Sequence, residues 1–410
     1  MGVAKNWLLE QEERGYRFVD DKAVCAECFC DYAIRDFIAQ DAEAFACSYC
    51  GREADGQAIA APIDDVLGLI VRGLETIYRD PNDEGVPWES AEGGWQGTVY
   101  DSRDIVLNDV PLSDGRDELL DDILLSLEGR QWCQKDFWSL TPEEALMCGW
   151  EEFCETVKHK TRYLFTLAGD REEAYRGPGE IEPAKMLGQL GLLISRTGLV
   201  SHLPIGKNVF RARVHEETVD IRSAADLGPP DAKSARLSNR MSPAGIPMFY
   251  GAFDAVTAEA ETIERRCSGK VLSVGRFKVA RNLRVLDLSA LPTVPSIFDE
   301  VMSDRRPGLI FLHDFAKDVA RPIEGDGREH IEYVPTQIVT EFFRRVFTQP
   351  GMPPLDGIVY TSARADGACC VLFLEQKHVK NEGENEGDAN GDTPTWLVLP
   401  SGAVSSRTLP

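Results

Sequence analysis

Between Ala61 and Arg196, apolar residues recur at steps of three and four. Ile63, Val66, Leu67, Ile70 and Leu74 form one such stripe, and Leu119, Leu120, Ile123, Leu124 and Leu127 form another. At 3.6 residues per turn this spacing collects the apolar side chains on one face, so each stretch predicts a helix that buries one side. Trp150, Phe153, Cys154 and Val157 begin a third stretch that leads into His159, Arg162, Tyr163 and Phe165. A fourth helix is expected from Pro183 to Arg196, with Pro183 in its first turn and Gly198 as its stop. The segment from Pro81 to Asp104 is rich in glycine and acids and has the least regular pattern.

After Gly206 the period falls to two. The runs Val209–Val214, Met248–Ala252, Val271–Val279, Leu283–Leu288, Leu309–Phe315, Gly357–Thr361 and Cys369–Leu374 read as strands. Helices are expected between them at Ala255–Arg266 and Pro335–Phe347. This is an α+β pattern over roughly 170 residues. Lys380 to Asp392 sets five acids against one lysine and reads as a mobile acidic loop. The expected organisation is a zinc-knuckle segment (1–60), a helical domain (61–203), an α+β domain (204–378) and an acidic loop with a C-terminal tail (379–410).

The chain of 410 residues is 43% hydrophobic and 27% charged, enough for a packed core in two or three domains. Its formal charge is −24. Such a field repels phosphate backbones, so nucleic acid is not an expected partner, and any anionic ligand needs a locally basic pocket. Met1 to Arg14 mixes charged residues among the apolar ones and offers no secretory core, and Asn6 breaks the myristoylation pattern after Gly2. The longest apolar stretch, Met186–Ser195, ends at Arg196, short of a membrane span. A soluble, cytoplasmic protein is expected, in which 11 cysteines serve metal ligation or burial rather than disulfides.

Four of those cysteines form the pairs Cys25-x2-Cys28 and Cys47-x2-Cys50. Two such knuckles can close four thiolates around one structural zinc, and Gly51 suits the turn after the second. Cys30 is an alternative to Cys28 as ligand. Further on, Val209–Val214 alternates so that Arg211 and Arg213 share one face and Phe210 and Ala212 the other. A guanidinium fork suits phosphate, although on the strand alone surface ion pairs are the favoured explanation of the two arginines. Arg240 adds a third arginine in a turn-rich segment.

Phe210-Arg211-x-Arg213, Arg240-Met241-Ser242-Pro243-Ala244-Gly245-Ile246-Pro247-x-Phe249-Tyr250, Thr257-Ala258-x-Ala260-Glu261 and Tyr360-Thr361-Ser362-Ala363-Arg364 follow one another in this order. Together they resemble the RES domain, a family named for an Arg, a Glu and a Ser. On this match those residues are Arg211, Glu261 and Ser362. The likeness runs from about Pro204 to Phe373 and takes in Tyr333-x-Pro335-Thr336-Gln337. Many relatives have Gly-Arg-Trp-Asn where this chain has Asn239-Arg240-Met241-Ser242. Upstream, the paired knuckles and Val157-Lys158-His159-x2-Arg162-Tyr163 resemble the HEPN-like N-terminal extension of some RES proteins.

The resemblance implies an ADP-ribosyltransferase-like α+β fold behind an α-helical, HEPN-like domain. It further implies cleavage of the nicotinamide–ribose bond of NAD by phosphate or water, typically by the toxin of a bacterial toxin–antitoxin pair. Arg211, Glu261 and Ser362 would be catalytic, and Arg240, Tyr250, Arg213 and Arg364 would bind substrate. Expected partners are NAD, a protein antitoxin or regulator and further copies of the chain, with no membrane. Two other readings compete. Arg196 and His202 have the Arg-x4-6-His spacing of HEPN ribonucleases, against which Gly198, Val200 and Pro204 argue that the helix has ended. The other is a catalytically inactive protein that binds NAD or ADP-ribose.

Overall fold

The helix Ile63–Leu74 buries Val66, Leu67, Ile70 and Leu74 with no measurable exposure, as the three-and-four spacing requires. It belongs to a computed structural model that describes residues 14–19, 21–91, 93–168, 177–263, 268–322, 327–384 and 394–410. The chain divides into two units that are not consecutive segments. The first comprises Met1–Glu144, Gly177–Gly179 and Thr293–Pro307; the second comprises Ala145–Arg176, Glu180–Pro292 and Gly308–Pro410. The expected segments 61–203 and 204–378 both run across this division.

In the first unit, β1 (Ala23–Cys25) pairs antiparallel with β2 (Ala60–Pro62). The stretch after Pro81 contains more structure than its composition suggests. The small sheet β3 (Tyr78–Arg79), β7 (Gln131–Gln134) and β6 (Tyr100–Asp101) flanks a hairpin of β4 (Trp88–Glu89) and β5 (Gly94–Trp95). Trp88 and Trp95 meet edge to face across that hairpin at 5.2 Å. The helices Tyr32–Gln40, Ile63–Leu74, Ser102–Asp109 and Asp117–Ser126 complete the unit. Its core takes Ile297 and Phe298 from a distant part of the sequence. Gly73 makes room for them, because a Cβ there would stand 2.3 Å from the Phe298 ring. Tyr32 Oη donates to Asp299 at 2.8 Å and Arg72 pairs with Glu300 at 2.6 Å, which fixes the same strap.

The second unit is built on a ten-stranded sheet in the order β15-β16-β11-β9-β10-β14-β13-β12-β8, with β17 also on β11. In chain order these are β8 (Val200–Leu203), β9 (Asn208–His215), β10 (Phe249–Ala252), β11 (Val271–Val279) and β12 (Leu283–Asp287). Then follow β13 (Gly357–Thr361), β14 (Ala368–Leu372), β15 (Val379–Asn381), β16 (Leu397–Leu399) and β17 (Val404–Thr408). The helix Pro183–Thr197 ends where Gly198 turns left-handed at φ 69°, as its Pro and Gly predict.

Two expectations are corrected here. Leu309–Phe315, read as a strand, lies inside the helix Arg306–Ala320. Its buried residues Gly308, Leu309, Phe311, Leu312, Phe315 and Val319 keep helical spacing, which a seven-residue apolar window cannot reveal. The segment 379–410, read as acidic loop and tail, supplies β15, β16 and β17, and β17 pairs with β11 from Val271 to Gly275. Residues 385–393, the centre of the expected acidic loop, lie outside the described residues.

Candidate functional site

β9 has a core on each face. Phe210, Ala212 and Val214 pack with Leu272, Val274, Ala255 and Ile263, under the helix Ala255–Thr262. Val209 packs on the opposite side with Phe249, Phe277 and Leu227, and the alternation puts Arg211 and Arg213 on that side. β9 pairs with β11 along its whole length from Asn208 to His215, whereas on its other edge it is registered with β10 through the single pair Phe210–Ala252 and then parts from it. A cavity of about 750 Å³ opens at this parting of the strands. Arg211, Arg213, Tyr250, Glu261, Tyr360 and Cys369 all line it.

Glu261 lies in the last turn of the Ala255–Thr262 helix. Asp254 caps that helix: Oδ1 accepts from Thr257 N and Oδ2 from Thr257 Oγ1, both at 2.7 Å. The Thr257 amide, with the Thr257 hydroxyl, holds the Asp254 carboxyl below its ordinary range. Ser362 stands just past β13 and is buried at 7% exposure. Its Oγ accepts from the backbone amides of Arg364 at 3.0 Å and Ala365 at 3.1 Å. With both acceptor positions filled, the hydroxyl hydrogen goes to Glu261 Oε1, to which it donates a short bond. Ser362 thus aims the carboxylate, and its occupied lone pairs make it a poor nucleophile.

Arg211 is unusual. Among the described residues its Nη1 is a buried polar atom without a hydrogen-bond partner. The guanidinium lies over the Phe249 ring at 4.9 Å. Burial, with Arg213 nearby, brings its pKa down to about 10. A buried cation of this kind invites an anion. Arg213 is exposed and donates to the Asp226 carbonyl at 2.7 Å. Tyr250 Oη lies 2.9 Å from Ser242 Oγ and accepts from the Met241 amide at 3.2 Å. Burial pushes the Tyr250 phenol up to about 12. Ser242 thus supplies a polar contact.

Arg240 is engaged by backbone carbonyls. Its Nη1 donates to the carbonyls of Val319 at 2.7 Å and Arg321 at 2.5 Å, closing the C-terminal end of the Arg306–Ala320 helix. Its side chain lines a neighbouring cavity of about 390 Å³, while its charge acts on Tyr250, Tyr360 and Cys369 of the first cavity. Arg364 is exposed and reaches the site through its backbone amide. Tyr360 and Cys369, which the sequence reading left without a role at the site, share the lining. Tyr360 could have been found by counting two residues back from Ser362, onto the same strand face.

In the first unit, the Sγ atoms of Cys25, Cys28, Cys47 and Cys50 lie within 4.8 Å of one another, and none is in a disulfide. Measured separations are 3.9 Å for Cys25–Cys28, 3.5 Å for Cys25–Cys50 and 3.7 Å for Cys28–Cys47. Four sulfurs at the corners of a zinc tetrahedron stand about 3.8 Å apart, so the donor set fits that metal. Burial raises the Cys47 thiol, but backbone amides of Cys50, Tyr49 and Cys25 outweigh it and bring the pKa down to about 7. Cys30 turns away toward the Leu112 carbonyl at 3.7 Å, so Cys28 holds the fourth corner.

The ribonuclease spacing straddles two elements. Arg196 ends the Pro183–Thr197 helix, whereas His202 is on β8 opposite Arg284. Among the described residues no helix is long and apolar enough to cross a membrane.

Comparison with known families agrees with the motifs. Residues 208–390 match the RES domain, and residues 40–171 match HEPN/RES N-terminal domain 1. The chain is thus a RES-domain protein with a HEPN/RES N-terminal domain. The crystal structure of the M. tuberculosis MbcT–MbcA toxin–antitoxin complex is similar at 14% identity, over 53% of this chain and 92% of that one, with a TM-score of 0.28. The curated proteins gave no match.

Proposed function

We propose that this protein degrades NAD by breaking the bond between nicotinamide and ribose. The observation that carries the reading is the Glu261–Ser362 pair beside a cavity that also holds Arg211, whose Nη1 has no hydrogen-bond partner. Cleavage of this bond passes through a ribosyl cation, and a fixed carboxylate such as Glu261 stabilises the positive charge or orients the attacking group. Nicotinamide leaves with the bonding electrons and becomes neutral. Water then yields ADP-ribose and a proton, whereas inorganic phosphate yields ADP-ribose carrying a new phosphate on the same carbon. Arg211 and Arg213 are suited to the pyrophosphate. Tyr250 and Tyr360 form an aromatic wall to the cavity.

The RES membership supports a role as a toxin or defence effector, active in the cytoplasm and restrained by a partner protein. A zinc ion held by Cys25, Cys28, Cys47 and Cys50 would be structural, since four sulfurs leave no open position. The test is incubation of the purified chain with NAD, with and without inorganic phosphate, followed by chromatography of the products. Nicotinamide release is expected. Dependence on phosphate identifies phosphorolysis, release in its absence identifies hydrolysis, and unchanged NAD in both conditions overturns the reading.

A further inference from the structure

A second cavity, of about 900 Å³, lies beside the first within the same unit. Pro230, Ile246 and Pro247 belong to the walls of both. Its lining is largely apolar, from Leu187 on the Pro183–Thr197 helix and Ile338 and Phe342 on the Val334–Arg345 helix to Phe165 and Val346. Gly188 opens it. This glycine lies inside a helix, where Ala would be the better helix former, and a Cβ built on it meets nothing within 4 Å. Glu341 and Glu375 add carboxylates to the same lining beside the cations of Arg344, Arg345 and Lys377, and Glu375 pairs with Lys377 at 3.2 Å.

We infer that this groove is the adenine subsite of the dinucleotide. The inference rests on the NAD reading above and deepens it. A dinucleotide carries two flat bases joined through a pyrophosphate. The nicotinamide end must lie at Glu261, and the pyrophosphate suits the arginines of β9. Arg213 is bonded to the Asp226 carbonyl, in the segment that runs on to Pro230. The shared wall therefore follows the arginines, and a base leaving the pyrophosphate there enters the apolar groove. Adenine buries its faces against apolar side chains and presents an exocyclic amine, whose N–H a carboxylate such as Glu341 accepts.

The test uses calorimetric binding of AMP and of nicotinamide mononucleotide to the full chain, to Gly188→Phe and to Val346→Trp. Both positions are exposed, so neither substitution disturbs a core. AMP is expected to bind the parent chain and to weaken about tenfold or more in both variants, with nicotinamide mononucleotide unchanged. Failure of AMP to bind the parent, AMP affinity in the variants unchanged from the parent, or equal weakening of the two mononucleotides overturns the subsite. The NAD reading is judged separately by turnover. A chain that consumes NAD while AMP ignores the groove loses the subsite alone, and one that binds AMP in the groove but never consumes NAD loses the activity alone.

Discussion

Ser362 gives its hydroxyl hydrogen to Glu261 and fills its remaining valences with the amides of Arg364 and Ala365. The two residues stand 101 positions apart in sequence, one in a helix and one after a strand, so their meeting is a product of the fold. Without Ser362 the carboxylate would be free to rotate, and without Glu261 the hydroxyl would have no acceptor. They should therefore behave in kinetics as one device.

Glu261→Gln is expected to lower kcat by roughly a hundredfold or more, since it removes the charge facing the ribosyl cation. Ser362→Ala should cost less, about tenfold, by loosening the carboxylate. The double variant should be no slower than Glu261→Gln. Independent, multiplying losses in a double-mutant cycle would show that the pair does not act as a unit.

Gly367 holds the two elements together. A Cβ there would stand 2.1 Å from Thr257 Oγ1 and 2.5 Å from Asp254 Oδ2, the capping groups of the Glu261 helix. Its carbonyl accepts from the Ser362 amide at 2.9 Å. Gly367→Ala is expected to destabilise the fold by about 1–3 kcal/mol through overpacking. It should also lower kcat in the protein that remains folded, measured by turnover normalised to native signal. Unaltered kcat would remove this contact from the placement of Ser362.

Much of this was legible in the sequence, though unevenly. The stripes from Ile63 and Leu119, and the Pro183–Gly198 bounds, record local geometry and need no tertiary information. Arg211, Glu261 and Ser362 were found as motif positions, and all three lie at the site, Ser362 through its bond to Glu261. The partners of Arg240 were not legible, because its motif position says nothing about the helix end at Val319, 79 residues away, that takes its donors. Leu309–Phe315 failed because a run of that length satisfies either period until its flanks are seen to be helical. Phe298 could not be anticipated, because a residue within the RES match completes the core of the other unit.

Arg211→Met offers a test in which stability and function move in opposite directions. A buried guanidinium with an unpartnered Nη1 carries a desolvation cost, and an apolar side chain of similar length removes it. The melting temperature is expected to stay level or rise. NAD affinity should fall by about tenfold or more, since charge-assisted bonds to the pyrophosphate are lost. A fall in both would assign Arg211 a structural role. Binding measured alongside thermal unfolding separates the two.

The four-cysteine cluster predicts one zinc per chain by elemental analysis of the purified protein. Cys25 and Cys28 adjoin β1, and Cys47 is bonded to it through the Cys25 amide at 3.4 Å, so the metal would fasten the edge of the first unit's core. Chelation or Cys47→Ser should lower that unit's unfolding transition. Hydrogen exchange should rise first around Val24, Ala60 and Ala61, all fully buried. Metal-free protein with the same exchange protection would exclude a structural ion.

Tyr250 makes the stability of the second unit sensitive to alkali. Its phenol is pushed up to about 12 by burial, while the unfolded chain titrates near an ordinary 10.0. Below pH 10 both states keep the proton and the contribution is complete. Between about pH 10 and 12 the folded state holds a proton that the unfolded chain releases, so stability falls as pH rises. The loss attributable to this residue approaches a few kcal/mol at most, at about 1.4 kcal/mol per unit. Tyr250→Phe removes the titrating group and keeps the ring against the cavity. Urea unfolding at pH 8 and pH 11 should show a smaller alkaline loss in Tyr250→Phe than in the parent. Equal losses would mean that the phenol is open to solvent, and would move Tyr250 out of the wall of the site.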